Sequence, residues 1–159
     1  MSRRTKDLAE RLEMFNKGVV EFVENCTEED WRKVCGWEEW TVGVVARHIG
    51  AGHYDIVGLA KMIVNGEKLP ELTRGQINLM ANQHARDHAD CTRAEVGEIL
   101  RGSGKTLIDF VHGLDDAQLD RTGYLGAIGG EISTEQLIER VILQSGGEHF
   151  AHMKAAATA

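Results

Sequence analysis

The sequence predicts an all-α fold, a four-helix bundle, and three observations carry that expectation. Apolar residues recur at steps of three and four over four long segments. Capping residues or capping boxes open three of the four segments. No two alternating apolar runs offer strands that would pair. With 159 residues, 42% hydrophobic and 27% charged, and one proline, the chain reads as a single domain over 1–159, long enough to bury a core without staples.

The first stripe runs Leu8, Leu12, Phe15, Val19, Phe22 and Cys26, so the first long helix covers about Lys6 to Asn25. Thr27, followed by Glu28, Glu29 and Asp30, caps a short connector carrying Trp31 and Val34. Thr41 opens the second long helix, about Val42 to Val64, which carries Val45, His48, Gly52, Ile56, Leu59 and Ile63 near one face and stops at Asn65-Gly66. Thr73 to Gln76 is a capping box for a short accessory helix on which Ile77, Ala81, His84 and His88 share a face.

Thr92 to Glu95 is a second capping box. It opens the third long helix, with Val96, Leu100, Ser103, Leu107, Phe110 and Leu114 along it. The glycine-rich stretch 120–130 reads as a loop with a short extended piece. Ser133 to Gln136 opens the fourth long helix, whose stripe is Ile138, Ile142, Ser145, His149 and His152. The link between the second and third long helices is long and partly helical, so it can return along the bundle and let those two run parallel.

Composition excludes several classes. A net charge of −7 repels nucleic acid phosphates and anionic lipid headgroups. The charged start, Met1 to Asp7, leads straight into a helix, and nothing approaches the ~20 apolar residues of a membrane span, so the expected address is cytoplasmic. Cys26, Cys35 and Cys91 are odd in number and form no Cys-x-x-Cys, which argues for reduced packing thiols over disulfides or a sulfur-ligated zinc. Gly102-Ser103-Gly104-Lys105-Thr106 ends like a phosphate-binding loop but lies inside a helix pattern, without the strand or the spacing.

The polar residues on apolar stripes carry the chemistry, because a buried polar group needs a partner. His48 lies about 10 Å along the second long helix and His149 about 12 Å from the end of the fourth. If these helices are antiparallel, the two imidazoles are level. Gly50 and Gly52 beside one, and Gly146 and Gly147 beside the other, give close helix contact or leave space. Such a site suits a metal with an open position or a small ligand, set against the plainer reading of hydrogen-bonded core histidines. His84 and His88 form a second pair at helical spacing, which a metal or a solvated helix end explains equally well. Trp31, Trp37 and Trp40 read as packing anchors.

The segment Trp40-Thr41-Val42-Gly43-Val44-Val45-Ala46-Arg47-His48-Ile49, with Gly146-Gly147-Glu148-His149-Phe150-Ala151-His152 far downstream, resembles the DinB/YfiT-like superfamily. Its relatives include the N-terminal domain of mycothiol-dependent maleylpyruvate isomerase. The resemblance implies up-down-down-up topology, a homodimer, and a divalent metal such as zinc or nickel. Its ligands would come from one histidine on the second long helix and two residues four apart on the fourth.

His48 and His149 match two of those positions. At the third, where the family has histidine or glutamate, this chain has Ser145, a poor ligand for zinc or nickel at neutral pH. The expected substitute is His152, one turn beyond His149. His53, five residues after His48, should point about 140° away from it on an α-helix. The resemblance implies a metal-dependent enzyme that activates a low-molecular-weight thiol, an S-transferase or isomerase. The alternative is a non-catalytic small-molecule binding or stress-response module whose metal site has lost a ligand.

Overall fold

Ser2, Thr27, Thr41, Thr73, Thr92 and Ser133 each cap a helix in a computed structural model that describes residues 1–159. At the last three, the third helical residue also reaches back to complete a capping box. Ser2 accepts from the Thr5 amide, so the first helix, α1, starts at Arg3 and runs Arg3–Asn25. The connector α2 is Glu28–Trp31.

The second long helix is composite: α3 Val42–Arg47, a π-helical segment His48–His53, a 3₁₀ turn Tyr54–Ile56, then α4 Val57–Val64. The accessory helix α5 spans Arg74–Asp87 and the third long helix α6 spans Arg93–His112. A short α7, Asp116–Asp120, opens with an unexpected capping box at Asp115. The fourth long helix is also composite: α8 Thr134–Ile138, a π-helical segment Glu139–Ser145, and α9 Gly146–Ala157.

The glycine-rich stretch holds more order than a loop. Strands β1 (Thr122–Leu125) and β2 (Gly130–Ser133) pair antiparallel, Thr122 opposite Ser133 and Leu125 opposite Gly130. Leu125 and Ile132 bury themselves against Ala60, Ile63, Leu69 and Leu137. Four-residue strands with two glycines between them are too short for alternation to register in the sequence.

The long helices run up-down-down-up, and side-chain pairs report each direction. Thr5 donates to the Leu114 carbonyl while Arg101 pairs with Glu24, so α1 and α6 are antiparallel. Arg4 meets Glu135, and Phe15 and Phe22 meet Phe150 edge-on, so the first and fourth are parallel. Gly50 packs on Leu100 and Lys61 sits over Phe110, so the second and third are parallel. One core of 22 buried residues, from Leu8 through Leu107 to Met153, joins all four. At roughly 1.5–3 kcal/mol for each fully buried large side chain, this burial is the dominant stabilising term.

Candidate metal centre

Four elements converge on the polar cluster: α3 with its π-helical continuation, the loop before α3, α5 and α9. In the π segment the Tyr54 amide bonds back to the Ile49 carbonyl, five residues earlier. A turn closed i→i+5 takes more residues than one closed i→i+4. The residue five positions on therefore comes back over the first, where an α-helix would leave it 140° away. His48 and His53 accordingly meet edge to face, 4.8 Å between ring centroids.

His149 completes the set, 5.3 Å from His48 and 5.0 Å from His53. One nitrogen from each of these three residues lies within 4.8 Å of the other two. Gly52 clears the space, since a Cβ there would stand 3.0 Å from His48 Nδ1. The Glu139–Ser145 π segment, closed by the Gly146 amide on the Val141 carbonyl, sets the phase of α9 just ahead of His149.

Glu38 holds the outer side. Its side chain is 3% exposed, and one oxygen, Oε2, accepts from His149 Nδ1 at 2.6 Å and His152 Nδ1 at 2.8 Å. The other oxygen is buried without a partner. The turn that delivers it is pinned by hydrogen bonds from Cys35 to Trp40 and from Glu39 back to Cys35, with Glu39 in the left-handed region at φ 60°. A non-glycine residue held there costs about 1–2 kcal/mol. Backbone outliers of this kind cluster at functional sites.

The electrostatics leave free lone pairs. Burial, then the neighbouring His53, His149 and His84, push His48 down to about 3. Burial and His149 push His53 down to about 4, the Val141 carbonyl opposing this without forming a hydrogen bond of ordinary geometry. Both rings are neutral at physiological pH. Both ring nitrogens of His53 are buried with no partner, an expensive arrangement in the absence of something to bind. Burial raises the Glu38 carboxyl, but the bonds from His149 and His152 outweigh it and hold it below the usual carboxylate range. Cys35 and Cys91 are pushed up to about 11 by burial, so neither offers a thiolate nucleophile.

Two residues that the sequence reading did not place here, His53 and Glu38, join the cluster. His152 was the expected third residue beside His48 and His149, yet it meets Glu38 and His149, 6.5 Å ring to ring from the latter. His53 lies beside His48 and His149, because the helix is π-wound where the expectation assumed α, while Glu38, His149 and His152 form a second group able to hold an ion. Glu38 was not anticipated. Its only sequence signal was a carboxylate in a tryptophan-flanked turn, and nothing there tells which of Glu38 and Glu39 points inward. His84 reaches the cluster from α5, 5.9 Å from His48, with His88 4.9 Å further out. Two cavities, of about 330 and 370 Å³, lie elsewhere and are lined by none of the histidines.

The sequence profile of the DinB superfamily matches residues 11–152. The chain belongs to the DinB superfamily. Among solved structures it is similar to YfiT from Bacillus subtilis, with a TM-score of 0.81 and 17% identity, over 99% of this chain and 89% of that one. That protein is described as a probable metal-dependent hydrolase with an unusual four-helix bundle topology. No protein of curated function matches this DinB chain at a significant level. Also, no helix is long and apolar enough to cross a membrane.

Proposed function

We propose that this DinB-superfamily chain is a metal-dependent enzyme whose divalent ion, zinc or nickel by donor chemistry, is held by His48, His53 and His149. The observation that carries the reading is the pair of buried, unpartnered ring nitrogens of His53, one of them within 4.8 Å of a nitrogen on each of the other two histidines. Three imidazoles fit the nitrogen ligation such ions favour. Glu38 accepts the Nδ1 hydrogen of His149, which leaves Nε2 as the nitrogen for the ion and fixes the ring's orientation. His152 shares that carboxylate and steadies it from the solvent side. When bound, such an ion supplies a Lewis acid with an open position where a small nucleophile becomes more acidic.

The nucleophile we assign is a low-molecular-weight thiol, making the reaction an S-transfer or isomerisation, as in the mycothiol-dependent relatives the sequence resembles. The chain provides no thiolate of its own, since Cys35 and Cys91 are pushed up to about 11. A second reading, hydrolysis with water as nucleophile, is favoured by the likeness to YfiT. The non-catalytic alternative rests on Ser145 and predicts a metal-free protein; the third imidazole offered by His53 supports the enzyme reading over it. A homodimer is part of the proposal, and the exposed Ile77, Leu79 and Met80 of α5 are available to cover it.

Metal analysis of protein purified without an affinity tag tests the core claim. We expect about one ion per chain in the native protein and almost none in His48→Ala; a metal-free native protein overturns it. Cobalt-substituted protein then separates the two nucleophiles. A thiolate-to-metal absorption band on adding a small thiol supports transfer, whereas no band together with ester hydrolysis supports the hydrolase.

A further inference from the structure

Arg4, Arg11, Arg93 and Arg101 each meet a carboxylate. Arg47, half-buried at the end of α3 and one residue before His48, meets none. Its guanidinium donates to His84 Nε2. Arginine has no acceptor, so Nε2 must be the lone-pair nitrogen of a neutral ring and Nδ1 must carry the hydrogen. That Nδ1 is buried without a partner. The arginine therefore keeps spare donors, and the orphan N–H lies on the far edge of the ring it bonds, on a protein of net charge −7.

The acids nearby are engaged elsewhere or exposed. Asp87 accepts from Gln83, Glu95 closes the capping box with Thr92, and Asp90 faces solvent. Buried donors without acceptors are costly, and a guanidinium is shaped for two parallel bonds to one planar anion. One guanidinium charge balances a single negative charge. A phosphate dianion would keep about one charge unmatched in a half-buried place.

We propose that Arg47, oriented by its bond to His84, is an anchor for one carboxylate of the molecule that this protein acts on. As a substrate subsite it rests on the metal-dependent reading above. Its position suits the task, because the His84 ring lies 5.9 Å from that of His48. A carboxylate held by Arg47 would put carbons a few bonds away beside the three imidazoles. The substrate class that follows is a small monocarboxylate whose reactive centre lies a short distance from its acid group.

The test follows the histidine side-chain NMR signals of tag-free protein, both metal-stripped and zinc-loaded, during titration with propionate and with inorganic phosphate. We expect saturable propionate binding that moves the His84 and His48 signals in the metal-stripped form. Arg47→Gln should weaken it at least about tenfold, and Arg47→Lys, which keeps the charge but loses the fork, by less. Three results overturn the proposal: no saturable propionate binding, equal binding by native protein and Arg47→Gln, or phosphate binding more tightly than propionate. A protein that takes up no zinc yet binds propionate through Arg47 sinks the metal reading and leaves the anchor standing. One that takes up zinc and ignores propionate does the reverse.

Discussion

Two helix pairs in this bundle are built differently. Helices α1 and α6 keep one period from end to end, pack antiparallel, and bury Leu8, Leu12, Val19, Leu100, Leu107 and Val111. The second and fourth long helices each change winding part-way, through His48–His53 and Glu139–Ser145, and between them hold His48, His53, His149 and His152. The regular pair carries stability. The interrupted pair gives up regular hydrogen bonding to bring polar groups together where an α-helix would spread them apart.

Substitutions in the two pairs should therefore fail in opposite ways. The largest effect belongs to the regular pair: Leu107→Ala, at a site 1% exposed, should cost about 2–5 kcal/mol in urea unfolding while metal affinity in the folded protein stays as it was. If the metal is lost with it, the division between the pairs is wrong. His53→Ala should do the converse, weakening metal binding by roughly a hundredfold or more. His152→Ala should weaken it far less; equal losses would restore His152 as the third ligand.

Most of the fold was legible because its signals are local. Thr41, Thr73, Thr92 and Ser133 mark helix starts by their own chemistry, and a stripe of period 3.6 needs only the sequence to be seen. His48 and His149 were legible too, since rise per residue sets their depth. His53 was visible but assigned the wrong direction, because a π segment is a tertiary compromise that no single residue announces. Glu38 depends on a turn closed by the hydrogen bonds of Cys35, Glu39 and Trp40, and the hairpin on burial against Ile63 and Leu69. Each is a long-range consequence of packing.

Glu38 ties the interrupted pair to the loop before it, and its effect should be smaller. Glu38→Gln keeps the size of the side chain but weakens its acceptance from His149 and His152. About 10- to 100-fold in metal affinity should be lost, measured by competition with a chromophoric chelator. An unchanged affinity would make Glu38 purely structural.

The remaining effects concern the metal-free protein. His48 and His53 have folded values of about 3 and about 4, below the roughly 6.5 of an unfolded histidine. Below that pH the unfolded chain binds protons that the folded one refuses. Stability should then be flat above about pH 6.5 and fall toward about pH 4, each ring contributing on the order of 1.4 kcal/mol per pH unit. Glu38 acts in the same direction: its contribution is present above the ordinary carboxylate range and is lost as pH falls through its lowered value. Thermal melts at pH 5 and 7.5 check this, and identical midpoints would contradict it. His53→Leu should reduce the slope. At pH 7.5 it should also stabilise the metal-free protein by about 1 kcal/mol, through removal of an unsatisfied buried polar ring.

The most direct test of the centre is a crystal structure of the zinc- or nickel-loaded, tag-free protein with anomalous scattering to place the ion. The expected result is one ion bound by nitrogens of His48, His53 and His149, with Glu38 still on His149 Nδ1. An ion held instead by His152 or Ser145, with His53 turned away, would contradict the claim that the π segment builds the site.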